Sequence, residues 1–355
     1  MQRPWNVAIN GAGRIGRLAI RAYFENKHRF PNLRLCAIND PHDIEALAHL
    51  LKYDSTHGRF ELPTAVFATG LEIASERIPV FSERDPERLP WADHAVDVVL
   101  ECSGRFKSYQ QASRHISSGA KRVVLSCPGG QGVDTTIVLG VNHQRLATAL
   151  PEIYSIGSCT TNALVPVLAV LDNAFTIADA SMVTVHAYTN DQSLVDNHHQ
   201  DLRRARAAAY SIIPTKTGAA SAIAAVLPHL KGKIMGYALR VPTANVSVVD
   251  CTLRLDKPVS VKAVRDVFAK AVAADSHAVL ALSEQPLVSC DFNHHTASAI
   301  IDMPLLEVVG NTLRVVIWYD NEWGYVNRLW DVLQEQYLAL AKDVAIANKV
   351  DHAAT

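Results

Sequence analysis

The chain has 355 residues, 49% of them hydrophobic and 19% charged, with a formal net charge of −1. That is enough chain for two ordinary domains around a large core, and so balanced a charge offers no bulk attraction to nucleic acid or an anionic membrane. Six cysteines are scattered without a CxxC pair, a poor basis for a disulfide framework or a zinc site.

Met1–Trp5 runs directly into a strand, so no signal peptide is expected. No apolar run approaches the roughly 20 residues of a membrane span, and a reducing cytoplasm is the expected location. Val7–Ile9 reads as a strand and Ile15–Glu25 as a helix. Between them stands Gly11-Ala12-Gly13-Arg14-Ile15-Gly16, a GxGxxG in the strand-to-helix context that gives it meaning. Such glycines allow a tight turn and close approach of a pyrophosphate to the helix N-terminus. A surface turn before a helix is the plainer alternative.

Leu33–Ile38 is the next strand, ending in Asn39-Asp40. Asp40 is the expected acceptor for a ribose hydroxyl. Its carboxylate would repel a 2′-phosphate, which favours NAD as cofactor. Pro41 has no N–H to offer that phosphate, and Asp40 is also suited to capping the next helix. Ile44–Leu51 reads as a helix, Val96–Leu100 and Arg122–Leu125 as apolar strands, and Gln110–Ser118 as a helix. This alternation predicts an α/β domain with a Rossmann-type, doubly wound parallel sheet covered on both faces. Cys36, Cys102 and Cys251 lie in apolar strand-like runs and read as packing.

Tyr154–Gly157 ends a strand, and Ala163–Leu171 is an apolar helix. Ser158-Cys159-Thr160-Thr161-Asn162 therefore puts a cysteine at a strand-to-helix turn. Free N–H groups and the helix dipole favour a thiolate there, and the same donors would hold an oxyanion. Beyond it the strands lengthen and alternate, as in Ser181–Tyr188, Asn245–Leu253 and Thr312–Tyr319. They predict an α+β domain with a mostly antiparallel sheet. Gly324–Lys342 reads as a helix and Asp351–Thr355 as a loose tail.

A nucleophilic cysteine needs a proton acceptor or a cation beside it. His186, in an apolar-alternating strand, is the best candidate among fifteen histidines, with His57, His199 and His294 as rivals. Anion-binding candidates are Asp201–Arg206, Pro214–Ala220 and Arg240–Thr243, although arginine clusters are commonly solvated and a Thr-Gly turn commonly only a cap.

Together these segments resemble phosphorylating glyceraldehyde-3-phosphate dehydrogenases. The resemblance runs through Ile9–Arg17, Ser158–Asn162, His186–Asp191, Asp201–Ala220, Arg240–Thr243 and Trp318–Tyr325, in the family's order from residue 5 to about 335. It implies that Cys159 attacks an aldehyde and that His186 is the base. The product of hydride transfer to NAD is then a thioester, which inorganic phosphate cleaves to an acyl phosphate. Thr189, Asp191 and Arg240 match the family's site for the substrate phosphate. Ser158, Thr160, Arg203, Thr217 and Gly218 match its site for inorganic phosphate.

On the cofactor side, Gly11, Gly13, Gly16, Arg14 and Ile15 match the pyrophosphate loop and Asp40 the ribose residue. Arg84, Ser103 and Ser126 match the rest of the cleft, Asn321 the carboxamide-orienting residue, and Tyr325 the residue beside the ring. The resemblance further implies an NAD-binding domain over 1–157, joined by a C-terminal helix at about 323–345, and a catalytic domain over 158–322. It implies a homotetramer in which the loop Thr189–Pro214 reaches a neighbouring subunit, and no metal.

The chain departs from the family's pattern in three places, at four positions. Ala163 replaces a second cysteine, which should spare activity and remove a local disulfide under oxidation. Asn197 and His198 replace a Leu-Pro pair, which leaves strict NAD selectivity open. Ser221 replaces a lysine. The nearest rival activity is that of erythrose-4-phosphate dehydrogenases, but the retained Thr189 and Gly218 favour the triose substrate. A non-catalytic nucleotide-binding regulator is a third reading, which intact Cys159 and His186 oppose.

Overall fold

In the computed structural model, which describes residues 3–149 and 151–353 (Ala220 and 343–353 by backbone alone), the chain divides into two units. The first comprises Met1–Ile137, Asn142–Gly157 and Val326–Thr355, and the second Val138–Val141 and Ser158–Tyr325.

In the first unit the strand Trp5–Asn10 buries Val7, Ala8 and Ile9 completely. A strand with no polar face needs cover on both sides, and this one lies inside a nine-stranded sheet. From one edge the order is Thr135–Thr136, Ile153–Ser155, Arg122–Leu125, Val98–Glu101, Trp5–Asn10, Leu33–Asn39 and Glu76–Phe81, all parallel. Gly70–Ile73 and Thr64–Phe67 then extend the sheet antiparallel.

That antiparallel edge has no counterpart in the sequence reading, which assigns no strand or helix between residues 58 and 95. The turn joining Gly70–Ile73 to Glu76–Phe81 is made by Ala74 and Ser75, at φ 48 and 69. Left-handed residue pairs suit tight hairpins, but Asn and Gly normally announce them, and neither residue here does.

The helix Arg14–Glu25 buries Leu18, Ala19, Ile20, Ala22 and Tyr23. The C-terminal helix Trp323–Ala353 places Trp330 against it, with the indole N–H donating to the Ala19 carbonyl at 2.8 Å and the ring 4.7 Å from Tyr23. The helix runs to Ala353, past the expected end at Lys342 and through part of the expected tail; Ala354 and Thr355 lie outside the described residues. Residues 343–353 contain neither Gly nor Pro, so nothing local stops the helix.

In the second unit the main sheet runs Ile213–Thr215, Ile234–Val241, Ile177–Ala187, Ser247–Leu255, Thr312–Tyr319, Ala299–Asp302 and Leu280–Ser283, with Glu307–Val309 also pairing to Thr312–Tyr319. Ile177–Ala187 pairs parallel with Ile234–Val241, and Leu280–Ser283 with Ala299–Asp302; the other pairings are antiparallel. Along Ser247–Leu255 every second residue is buried, so Val249, Cys251, Leu253 and Leu255 form one apolar face. The helix Cys159–Phe175 covers that face with Leu164, Val167, Leu168 and Leu171. Ser247–Leu255 begins two residues after the expected Asn245 because Val246 sits at φ 67, outside strand geometry. Burial pushes the Cys36 and Cys251 thiols up to about 12, as packing cysteines require.

Candidate active site

Gly157, at φ 71, makes the turn that a side-chain-bearing residue would make only with strain. Ser158 then caps the helix Cys159–Phe175, its hydroxyl accepting the Thr161 N–H at 3.1 Å and lying 2.8 Å from the Thr161 hydroxyl. Cys159 is thus the first helical residue. Burial pushes its thiol up, while the Arg240 charge and the Thr160 N–H pull it back down. The net direction is upward, against the thiolate-favouring expectation from the helix dipole alone, because desolvation of the anion outweighs it.

His186 lies at the buried end of Ile177–Ala187, with Nε2 3.4 Å from Cys159 Sγ. The parallel register pairs His186 with Arg240, which sets both side chains on one face of the sheet. Arg240 Nη1 lies 2.5 Å from His186 Nδ1 and donates to the Ala187 carbonyl at 3.0 Å; that carbonyl is itself 2.7 Å from Nδ1. Burial and then the Arg240 charge lower the imidazole to about 3, so His186 is neutral at pH 7. Arg240 Nε is buried without a partner among the described residues.

Two residues given no role by the sequence hold this pair in place. The Tyr319 hydroxyl lies 2.9 Å from Thr160 Oγ1 and 2.8 Å from Thr184 Oγ1, tying the helix start to the His186 strand. Its ring meets His186 edge-on at 5.9 Å. Ser247 accepts the Ala187 N–H at 3.1 Å and donates to Asn321 Oδ1 at 2.8 Å. Thr160 is therefore engaged with Tyr319, and Ser158 with its own helix.

The arginine that faces this region is Arg204. It pairs with Asp191 and donates from Nε to Thr215 Oγ1 at 2.8 Å. Arg203 is exposed, with its backbone N–H on Asp201 at 2.9 Å. The two are neighbours in a loop without periodicity, so nothing local says which points inward. The Thr189 N–H donates to Gln192 Oε1 at 3.3 Å. Thr217 Oγ1 accepts the Ala219 N–H at 3.3 Å, and Gly218 opens the helix Ala219–Val226 with nothing within 4 Å of where a Cβ would stand.

In the first unit the glycine fingerprint forms a close-approach loop. A Cβ on Gly16 would lie 2.0 Å from the Gly11 carbonyl oxygen, and one on Gly11 2.6 Å from the Ser103 backbone. Gly13 is open, with nothing within 4 Å, and its helix carries no side-chain cap. Asp40 accepts the Ala12 N–H at 2.6 Å and the His42 N–H at 3.0 Å, joining the loop to the end of Leu33–Asn39. An uncapped helix start, an open glycine and a carboxylate beside them fit a dinucleotide's pyrophosphate and ribose.

Arg14 sends its guanidinium to the buried carboxylate of Asp54. Burial opposes that anion, but Arg14 and the N–H groups of His57 and Thr56 hold the Asp54 carboxyl at about 2. Arg14 and Ile15 open the helix Arg14–Glu25, whose start carries no side-chain cap. Arg84 is exposed. Ser103 and Ser126 meet at Glu101, the Ser103 N–H on its carboxylate at 2.8 Å and the Ser126 hydroxyl on its carbonyl at 2.9 Å. Buried Glu101 also takes Asn10 Nδ2 at 2.6 Å and lies 3.0 Å from His115 Nε2. Trp91 donates to His115 Nδ1 at 3.0 Å, which leaves the ring proton on Nε2 for Glu101. This network was not legible in sequence, since it joins residues from separate strands and a helix. Asn321 and Tyr325 are buried in the second unit. Among the described residues no helix is long and apolar enough to cross a membrane.

Comparison with known proteins gives consistent matches. Residues 5–109 match the family described as glyceraldehyde 3-phosphate dehydrogenase, NAD binding domain, and residues 158–321 its C-terminal domain. The plasmid-encoded glyceraldehyde-3-phosphate dehydrogenase of Cupriavidus necator is 46% identical over 325 residues, 92% of this chain and 96% of that protein. The Geobacillus stearothermophilus protein of that name is 48% identical over 327 residues, again 92% and 96% of the two chains. Glyceraldehyde-3-phosphate dehydrogenase 2 of Staphylococcus aureus is 45% identical over 331 residues, 93% and 95%.

Proposed function

This chain belongs to the glyceraldehyde-3-phosphate dehydrogenase family, and from that premise we propose that it oxidises D-glyceraldehyde 3-phosphate with NAD and inorganic phosphate to 1,3-bisphosphoglycerate. The observation that carries the reading is the pair Cys159 Sγ and His186 Nε2 at 3.4 Å, with Arg240 in register beside them. When bound, NAD supplies the acceptor for the hydride that leaves the aldehyde carbon. His186 Nε2 takes the thiol proton, and Sγ bonds to that carbon. His186 returns the proton to the former carbonyl oxygen to complete the hemithioacetal. It removes that proton again as the carbon is oxidised to the thioester. Phosphate attacks the thioester carbon and Sγ leaves. Arg240 and Thr189 hold the substrate phosphate, Asp191 orients Arg204 beside them, and Thr217 and Gly218 face inorganic phosphate, while the Ser158 and Thr160 hydroxyls, engaged with Thr161 and Tyr319, hold the helix start in place.

Residues 1–157 with the C-terminal helix serve NAD, through the fingerprint glycines, Asp40, Arg84, Ser103 and Ser126. Residues 158–322 carry the chemistry. We assign Arg204 the anion-binding role that the resemblance implies for Arg203. Removing a charge-assisted hydrogen bond costs about 1.5–3 kcal/mol. Arg204→Ala should therefore lower kcat/KM roughly tenfold to a hundredfold, while Arg203→Ala stays within about twofold. The reverse ranking in steady-state kinetics would return the role to Arg203.

A homotetramer is part of the proposal. Leu194, Leu202 and Tyr210 are 84%, 81% and 90% exposed in the loop Thr189–Pro214, apolar surface that suits a subunit contact. The six cysteines, free in the structure, suit a cytoplasmic location.

The deciding assay is NADH formation from glyceraldehyde 3-phosphate and erythrose 4-phosphate, each with and without inorganic phosphate. The triose should be strongly preferred and the rate should depend on phosphate. Preference for the tetrose, or indifference to phosphate, would transfer the assignment to erythrose-4-phosphate dehydrogenase.

A further inference from the structure

The strand order in the first unit reverses beside Trp5–Asn10: the chain passes to Leu33–Asn39 on one side and later returns to Val98–Glu101 on the other. Such a reversal opens a crevice at the carboxyl ends of the two strands, where open parallel sheets bind their ligands. The register places Asn10 and Glu101 opposite each other at those ends. Glu101 is 1% exposed, and among the described residues its two carboxylate oxygens meet only donors. Asn10 Nδ2 reaches Oε2 at 2.6 Å, and His115 Nε2 lies 3.0 Å from the same oxygen. The Ser103 N–H reaches Oε1 at 2.8 Å, and the Ser103 hydroxyl shares that oxygen. His115 belongs with the donors because the Trp91 indole, which only donates, occupies its Nδ1. Each oxygen thus serves two donors, which a carboxylate can do and a carboxamide cannot.

We propose that Glu101 is a positioning residue for the dinucleotide, its carboxylate locking the fingerprint loop and the Ser103 turn to each other before NAD arrives. The two turns already touch: a Cβ on Gly11 would lie 2.6 Å from the Ser103 backbone. Beyond Asn10 the same chain of bonds continues towards the ribose residue. Asn10 Oδ1 accepts from Asn39 Nδ2 at 2.7 Å, and the Gly11 N–H donates to the Asn39 carbonyl at 2.7 Å. Asp40 follows directly and accepts the Ala12 N–H at 2.6 Å. On the other side the Glu101 carbonyl accepts the Ser126 N–H at 3.0 Å and the Ser126 hydroxyl at 2.9 Å. One buried residue therefore sets the relative positions of the fingerprint loop, Asp40, Ser103 and Ser126. Groups held in place beforehand lose little freedom when a ligand binds, and that is how preorganisation raises affinity. The inference rests on NAD occupying the fingerprint loop, and it deepens that reading by naming a residue that acts through its neighbours.

The test compares the full-length parent and Glu101→Gln, both stripped of nucleotide, by isothermal titration calorimetry with NAD and with ADP-ribose. Glutamine keeps the shape but turns one oxygen into a donor that faces donors, which releases one arm of the clamp. The Kd for NAD should rise roughly tenfold to a hundredfold, the usual scale for losing a hydrogen bond to a charged group. ADP-ribose, which has the pyrophosphate and ribose but no nicotinamide, should weaken by the same factor. In the NADH assay the KM for NAD should rise likewise, with kcat at saturating NAD and the KM for the aldehyde within about twofold of the parent. A melting temperature that falls while both Kd values stay put would make Glu101 structural only and overturn the proposal. A loss on NAD that spares ADP-ribose would overturn it too, because the loop and Asp40 are then not what Glu101 positions. If the parent itself binds neither nucleotide, the NAD reading falls with it. Should Glu101→Gln fail to fold, Asn10→Ala decides the matter. It cuts the link from Glu101 to the loop and leaves the Asn39 amide on the Glu83 carbonyl at 2.9 Å. It should weaken both nucleotides about threefold to tenfold; unchanged Kd values overturn the proposal.

Discussion

Replacing Cys159 with serine should remove aldehyde oxidation almost completely, lowering kcat on the order of 10⁴–10⁶-fold, the range seen when an enzyme loses its nucleophile. The fold gives no reason for the loss to come from instability. Cys159 follows the capping residue Ser158 as first residue of its helix, and a hydroxyl is smaller than the thiol it replaces. What changes is chemistry. A serine hydroxyl ionises far less readily than a thiol, and its ester would be a poorer acyl donor to phosphate than the thioester. Burial already disfavours the thiolate at this position, and it disfavours an alkoxide there as well. Steady-state NADH formation and thermal melting check the two halves of the expectation. Residual turnover above one part in about 10³, with an unchanged melting temperature, would mean that another group attacks the aldehyde.

His186→Asn should lower kcat by about 10²–10⁴-fold, the usual contribution of a general acid–base group. Asparagine keeps a polar side chain in the site but cannot carry the proton from Cys159 and later from the hemithioacetal. The same variant should alter stability against pH. Burial and the Arg240 charge hold the native His186 pKa at about 3, against 6.5 for the free side chain. Below pH 6.5 the unfolded chain therefore binds a proton that the native chain refuses. Stability at this site is full above that pH and falls as the pH drops through the window from 6.5 to 3. His186→Asn lacks this proton uptake, so its urea midpoint should fall less steeply than the parent's between pH 7 and pH 4.5. Parallel curves would show that His186 titrates alike in the native and unfolded chain, with no depression of its native pKa.

The elements most legible in the sequence are those whose chemistry is local. Gly11, Gly13 and Gly16 announce the strand-to-helix loop, and the structure puts Gly11 and Gly16 where a Cβ would collide with backbone and leaves Gly13 open at the helix start. Ser158 and Cys159 sit between an apolar strand and an apolar helix, and that junction is readable without any distant contact. The antiparallel edge over Thr64–Phe81 was not legible, since Ala74 and Ser75 turn the chain without the residues that advertise such a turn. The end of the last helix lies past the expected Lys342 because a stretch without helix stops or a terminal cap carries no local signal of where the helix ends.

Residue order by itself determined an α/β unit with a dinucleotide loop, a second unit of longer alternating strands, and a cysteine at a helix start; each follows from periodicity, glycine conformation or capping within a dozen residues. Only the tertiary structure decided which side chains meet. Strand register set Arg240 beside His186, and packing brought Tyr319 to Thr160 and Thr184. A loop without periodicity turned Arg204, not Arg203, toward Asp191. The balance at Cys159 was likewise decided in three dimensions, because the helix dipole is a local property whereas desolvation depends on everything packed around the thiol.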